Sequence, residues 1–200
     1  LWEKDSTTSR LYLAKNSQVW CAINPTDFAN EVHWFLVAKN LGNDRIVEMD
    51  YTPEGDHLFI AKTGALWRLD SLNSAEYTLE ANPASNDIPK AIVAKKLNIS
   101  AILGRTVTGI SINPSNPNHV VITLGAYGRS VYVLQSFDAL AEEPTFTNIT
   151  GTLPPMPVYD AVIDVDDPKR IIIGTDLGIW ATENGGINWD PIFDDQDVLS

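Results

Sequence analysis

The sequence predicts an all-β chain of repeated four-stranded units, on three observations. These are a gapless internal repeat, a glycine and an aromatic residue that recur after every copy, and the lack of any sustained helical period. Residues 107–122 align on residues 158–173 without a gap, with Val107/Val158, Ile112/Ile163, Pro117/Pro168 and Ile122/Ile173 identical. Each copy reads as a strand, a polar turn closed by proline, and a second strand rich in β-branched residues. A third copy spans residues 45–61, where Pro53 matches Pro114 and His57 matches His119 across a turn one residue shorter. Within it, Val47, Met49 and Tyr51 alternate with Glu48 and Asp50, the period of two expected of a strand buried on one face.

Each copy is followed by a third strand: Gly64 then Leu66-Trp67, Gly128 then Val131-Tyr132, Gly178 then Ile179-Trp180. Fourth strands fall at residues 145–149, at 188–192 and, for the 45–61 copy, near 91–97, which leaves 71–89 as a long insertion. Ahead of these, Leu11-Tyr12-Leu13, Val19-Trp20 and residues 32–37 read as the last three strands of a unit whose first strand lies upstream. Four-stranded units repeated at this spacing are the signature of a β-propeller, with a solenoid or a stack of sandwiches as the alternative. The units divide as 1–40 (a partial blade), 41–103 (the blade with the insertion), 104–152 and 153–200. Three strands and then three sets of four leave an unpaired edge at each end, so the chain reads as part of a larger propeller.

Composition agrees with a packed, acidic chain and narrows its partners. Two hundred residues with 44% hydrophobic content allow one domain, or part of a larger one, and exclude disorder as the overall state. Fourteen Lys and Arg against 26 Asp and Glu give a net charge of −12, which disfavours nucleic acid and anionic membrane surfaces. No stretch approaches the ~18 apolar residues of a membrane helix, so direct membrane insertion is not expected. The chain opens on Leu1-Trp2-Glu3 without a leader pattern, and together with the repeats this reads as an internal piece of a longer protein. Cys21, in the apolar run Val19-Trp20-Cys21-Ala22-Ile23, is expected to be a packed thiol.

The run Thr182-Glu183-Asn184-Gly185-Gly186-Ile187-Asn188-Trp189 resembles the Asp box of sialidases, sortilin-like receptors, xyloglucanases and many secreted propellers. The resemblance implies a hairpin between the third and fourth strands of a blade. In it the Asn184 side chain accepts hydrogen bonds from main-chain N–H groups, Gly185 and Gly186 allow positive φ, and Trp189 buries against the blade, with Thr182 and Asn188 the other residues of the box. Ser136-Phe137-Asp138 followed by Thr145-Phe146 resembles a decayed box, with Phe146 where the tryptophan would stand. Over about residues 104–192, including Leu153-Pro154-Pro155-Met156-Pro157 and Gly174-Thr175-Asp176-Leu177-Gly178, the sequence is similar to large cell-surface propellers of Bacteroidota. That similarity implies export by the type IX secretion pathway and an extracellular or cell-surface location. It also implies that the remaining blades of the same parent protein are partners of this chain.

Resemblance to a sialidase would imply an Arg-Ile-Pro or Arg-Leu-Pro sequence early in the fold, and none of the six arginines is followed by that dipeptide. A glycosidase must hold two carboxylates across the bond, and among 26 acids sequence cannot select them, so part of a sialidase- or xyloglucanase-like hydrolase stays open as the alternative function. Asp164, Asp166 and Asp167, and Asp194, Asp195 and Asp197, lack EF-hand spacing and read as turn caps, and His33, His57 and His119 are dispersed. No metal or other cofactor is expected, and no catalytic residue is assigned.

Binding is the reading preferred. In a propeller, the loops between second and third strands and those entering the innermost strand gather at one end. This places Arg105, Tyr127, Arg129, Tyr159, Asp160 and Asp176 on a candidate ligand face for a protein or glycan at the cell surface. Asp5-Ser6-Thr7 and Asp70-Ser71-Leu72 match the Asp-Ser/Thr-apolar pattern that Bacteroidota O-glycosylate, making Ser6 and Ser71 candidate sugar sites. The expected role is a non-catalytic interaction module of a large exported protein, in adhesion, motility or a secretion-associated assembly.

Overall fold

The structure, a computed structural model, describes residues 2–4, 9–82 and 87–192. Among these residues, sixteen strands form four antiparallel four-stranded sheets, each with its strands in chain order. The first blade holds β1 (Trp2–Lys4), β2 (Ser9–Lys15), β3 (Gln18–Ile23) and β4 (Trp34–Ala38), and the second β5 (Ile46–Tyr51), β6 (Leu58–Lys62), β7 (Ala65–Asp70) and β8 (Val93–Lys96). The third holds β9 (Val107–Asn113), β10 (Asn116–Leu124), β11 (Val133–Ser136) and β12 (Thr147–Asn148), and the fourth β13 (Val158–Ile163), β14 (Ile171–Thr175), β15 (Gly178–Thr182) and β16 (Asp190–Pro191). No α-helix occurs among the described residues, only the 3-10 turn Ser100–Ile102.

The first blade corrects the strand count of the sequence, fifteen strands becoming sixteen. Its opening strand is present as β1, which pairs with β2 from Trp2 opposite Leu11 to Lys4 opposite Ser9. Three residues are too few to display a period of two, so the repeat could not be followed into them. The third blade differs more mildly: β11 starts at Val133, past the Val131-Tyr132 pair. The Tyr132 carbonyl still accepts the Leu124 N–H at 2.9 Å, while its own N–H turns to the Thr150 hydroxyl at 2.8 Å.

The blades are apolar on the faces where they meet their neighbours. Tyr12, Val19, Cys21 and Val37 of the first blade pack with Leu58, Ile60 and Leu69 of the second. Phe59 and Leu66 pack with Val107, Ile110, Ile122 and Leu134 of the third, and Val121 and Val133 with Val158, Ile163, Ile171 and Ile173 of the fourth. The innermost strands therefore run side by side, β5 against β9 and β9 against β13. All three carry a β-bulge at the same repeat position, around Val47, Thr108 and Tyr159, where one extra residue interrupts pairing with the second strand.

Candidate functional site

The bulge of β13 and two neighbouring turns assemble the one cluster of exposed aromatic and acidic side chains that spans two blades among the proposed ligand-face residues. Tyr127 stands on the β10–β11 connection between Ala126 (φ +80°) and Gly128 (φ +71°), a backbone that projects its ring outward. Asp176 tips the β14–β15 turn, which is locked by the Thr175 hydroxyl donating to the Gly178 carbonyl (2.8 Å) and accepting the Leu177 N–H (3.1 Å). Both phenols donate to this one carboxylate, Tyr159 to Oδ1 at 2.5 Å and Tyr127 to Oδ2. The two donors, Tyr127 first, hold Asp176 below the usual carboxylate range, and the same bonds raise both tyrosines.

The other three residues of the expected face do not join them. Arg105 is a correction: it is buried, with Nη1 donating to the Val131 carbonyl, Nη2 to the Gly125 carbonyl at 3.0 Å, and its guanidinium 5.4 Å from the Tyr132 ring centre. It braces the loop that carries Tyr127 and offers no free charge to a ligand. Arg129 has an exposed side chain on that loop, and its N–H donates to the Tyr132 hydroxyl at 3.0 Å. Asp160 sits on β13 one residue past the bulge, where its Oδ1 accepts the Ala161 N–H at 2.8 Å. A Cβ on Gly109 would lie 2.8 Å from the Asp160 Cα, so glycine is what lets β9 and β13 approach there.

Sequence reasoning missed two carboxylates that belong with Asp160. Glu48 and Asp50 look like the solvent-facing half of an alternating strand, yet both are half-buried against the free edge of β9. The Glu48 carboxylate accepts the Ile110 N–H, and Asp50 accepts those of Tyr51 (2.9 Å) and Ile112. Burial, then repulsion by Asp160 and Asp50, pushes Glu48 up to about 7. Burial does most to push Asp50 up to about 6, against the two N–H donors that favour its charge. The signal available in the sequence is the repeat itself. Position 50 corresponds to Ser111, whose hydroxyl accepts the Ile163 N–H of the next blade at 3.0 Å.

The Thr182–Trp189 hairpin is built away from this face. The Thr182 hydroxyl donates to Asn184 Oδ1 (3.0 Å) and accepts the N–H groups of Asn184 (3.3 Å) and Gly186 (2.9 Å), while Asn184 Oδ1 takes the Asn188 N–H (2.9 Å). Gly185 and Gly186 both have positive φ, and a Cβ on Gly186 would meet Ile149 at 2.6 Å. Trp189 is buried, its Nε1 donating to the Ile149 carbonyl at 2.9 Å and its N–H to the Thr152 hydroxyl at 2.8 Å. Residues 136–145 repeat the arrangement, with Ser136 Oγ donating to Asp138 Oδ1 (2.9 Å), which takes the Thr145 N–H (2.8 Å).

The remaining sequence candidates are placed simply. Asp164 accepts the Asp166 N–H (2.8 Å) and the Arg170 guanidinium (2.9 Å), as a turn cap does. His57 meets Asp70 at 2.7 Å, and His119 is enclosed between the amides of Asn113 and Gln135. Ser71 is half-exposed just beyond β7 with φ +66°. Ser6, Asp194, Asp195 and Asp197 lie outside the described residues.

No protein-family model and no curated protein matches the sequence. Solved structures do. An ancestral GH74 enzyme superposes with a TM-score of 0.63 at 16% identity over 96% of this chain and 23% of that one. The extracellular domain of a one-component system from B. thetaiotaomicron gives 0.59 at 14% over 99% and 22%, and the GH74 xyloglucanase from Xanthomonas campestris 0.56 at 12% over 86% and 26%. The chain thus spans about a quarter of the length of these structures. Likeness at this level of identity is likeness of fold, and the four sheets are blades of a β-propeller.

Proposed function

We propose that the chain is part of a non-catalytic, extracellular β-propeller that serves as an interaction module of a large cell-surface or secreted protein, in adhesion, motility or a secretion-associated assembly. Its ligand face centres on Tyr127, Tyr159 and Asp176, with Arg129 at the rim, and it meets a protein or glycan at the cell surface. The observation that carries this reading is two exposed phenols held by one exposed carboxylate across two blades. Rings fixed this way lose little freedom on binding, and tyrosine and arginine are favoured contact residues. The extracellular neighbour from B. thetaiotaomicron supports an exported setting, as do the Asp-box-like hairpin and the resemblance to Bacteroidota surface propellers. Glu48 and Asp50 are engaged with the edge of β9, which favours a structural over a catalytic use of these carboxylates.

The test is binding to arrays of sialosides, β-glucans and surface polysaccharides and to exported proteins of the source cell, beside a hydrolysis screen on the same glycans. Asp176→Asn with Tyr127→Ala should lower binding at least ~10-fold, the equivalent of about 1.4 kcal/mol, without changing the melting temperature. Turnover of a glycan that a single Asp→Asn change abolishes would replace this reading with the hydrolase.

A further inference from the structure

We infer that the cluster of Tyr127, Tyr159 and Asp176 receives a cationic side chain of a partner protein, an arginine guanidinium seated on the Asp176 carboxylate. The inference deepens the proposed function: it rests on this cluster being the ligand face and names what the face takes.

The first argument is the inventory of donors and acceptors. Both phenolic hydrogens are spent on Asp176, that of Tyr159 on Oδ1 and that of Tyr127 on Oδ2, so neither tyrosine has a proton left for a ligand. Each carboxylate oxygen gives one lone pair to a phenol and keeps another. What faces solvent is a pair of acceptors on one planar group, flanked by Tyr127 at 64% and Tyr159 at 49% exposure. An anion would need donors here, and a sugar hydroxyl would use only half of its capacity. A guanidinium carries donors alone, in a fixed fork that meets a carboxylate oxygen by oxygen. Its aliphatic stem suits the apolar surface around the carboxylate, the two rings and Leu177, which is exposed beside Asp176 in the same turn.

The second argument is charge. Two phenol donors hold Asp176 ionised, and no cation contributes to doing so. Two other fixed acids of the chain carry its own arginines, Asp70 with Arg68 at 2.6 Å and Asp164 with Arg170 at 2.9 Å. Asp176 has no such partner among the described residues, although Arg129 stands on the same loop as Tyr127. The phenols therefore fix the carboxylate without neutralising it, and hydrogen bonds this exposed contribute little to the fold. Asp160, the residue after Tyr159, adds a second exposed carboxylate on β13, and the net charge of −12 draws cations toward the surface as a whole. A neutral glycan gains nothing from that charge, so the observations favour a basic protein segment.

Binding to the full-length protein is measured with three probes. These are the acetylated and amidated tripeptide Gly-Arg-Gly, the same peptide with citrulline for arginine, which keeps the shape and removes the charge, and cellotetraose. The arginine peptide should bind ~5-fold more tightly than the citrulline peptide, as a well-oriented exposed ion pair does. Asp176→Asn should erase that ratio, whereas Asp166→Asn, which removes an exposed carboxylate from the β13–β14 turn, should leave it unchanged. A ratio that survives Asp176→Asn, or falls equally in both variants, would overturn the inference in favour of diffuse surface charge. Cellotetraose binding that Tyr127→Ala abolishes, with no preference for arginine, would overturn it in favour of a glycan and leave the ligand face standing. Failure of all three probes would overturn the inference alone, since the face itself is tested by the wider arrays.

Discussion

Trp189 is tied down at both ends, its indole N–H on the Ile149 carbonyl and its main chain on Thr152, so one side chain fastens the fourth blade to the segment leaving the third. Replacing it with alanine removes that bond and leaves a cavity between the blades, and Trp189→Ala should cost about 3–5 kcal/mol in chemical denaturation. Ligand binding by the surviving folded fraction should be unchanged, since the hairpin touches none of the tyrosine cluster. This residue was legible because the box that ends on it is a short run of fixed spacing, Thr182 to Trp189. Arg105 was not, because the carbonyls it binds lie 20 and 26 residues further on. Repeat positions were legible as slots rather than as chemistry. His57, His119 and Arg170 occupy one slot, and their partners Asp70, Phe137 and Glu183 another, joined at 2.7 Å, by a 4.6 Å ring stack and at 4.0 Å.

Among the elements, the innermost strands carry the electrostatic tension of the fold. Periodicity reported correctly that Glu48 and Asp50 share a face of β5, but it could not report that this face meets the edge of another blade. Both carboxylates have raised folded pKa values, about 7 and about 6, so the folded state binds their protons more tightly than the unfolded chain does. Their contribution is fully present below the unfolded carboxylate pKa of about 4.3 and is lost as pH rises through those folded values. The melting temperature should therefore fall between roughly pH 5 and pH 7.5, and Glu48→Gln, neutral throughout but still able to accept the Ile110 N–H, should flatten most of that slope. An unchanged slope in Glu48→Gln would place the tension elsewhere. Acid loss at still lower pH belongs to Asp70, Asp138 and Asp164, whose pKa values are lowered by their hydrogen-bond partners.

At the scale of the whole molecule, buried cations fasten successive blades. Lys62 donates to the Leu41 carbonyl at 2.7 Å across the link between the first and second blades. Arg68, paired with Asp70 at 2.6 Å, donates to the carbonyls of Ala139 (2.6 Å) and Ala141 (3.1 Å) in the third. The two ends of the array have no such cover among the described residues: Leu13 and Trp34 are exposed on the first blade, Val162, Ile172 and Ile179 on the fourth. The architecture was readable because a 51-residue offset survives without gaps, and Tyr127, Tyr159 and Asp176 could be brought to one end through it, whereas the bonds that join them run between turns of two blades and leave no local pattern. The claim that these four blades belong to a larger propeller is tested most directly by light scattering of purified residues 1–200 across a concentration series. The account predicts self-association or poor folding through the uncovered end faces. A monodisperse monomer with a cooperative melt, its first and fourth blades closed into a four-bladed ring, would contradict it.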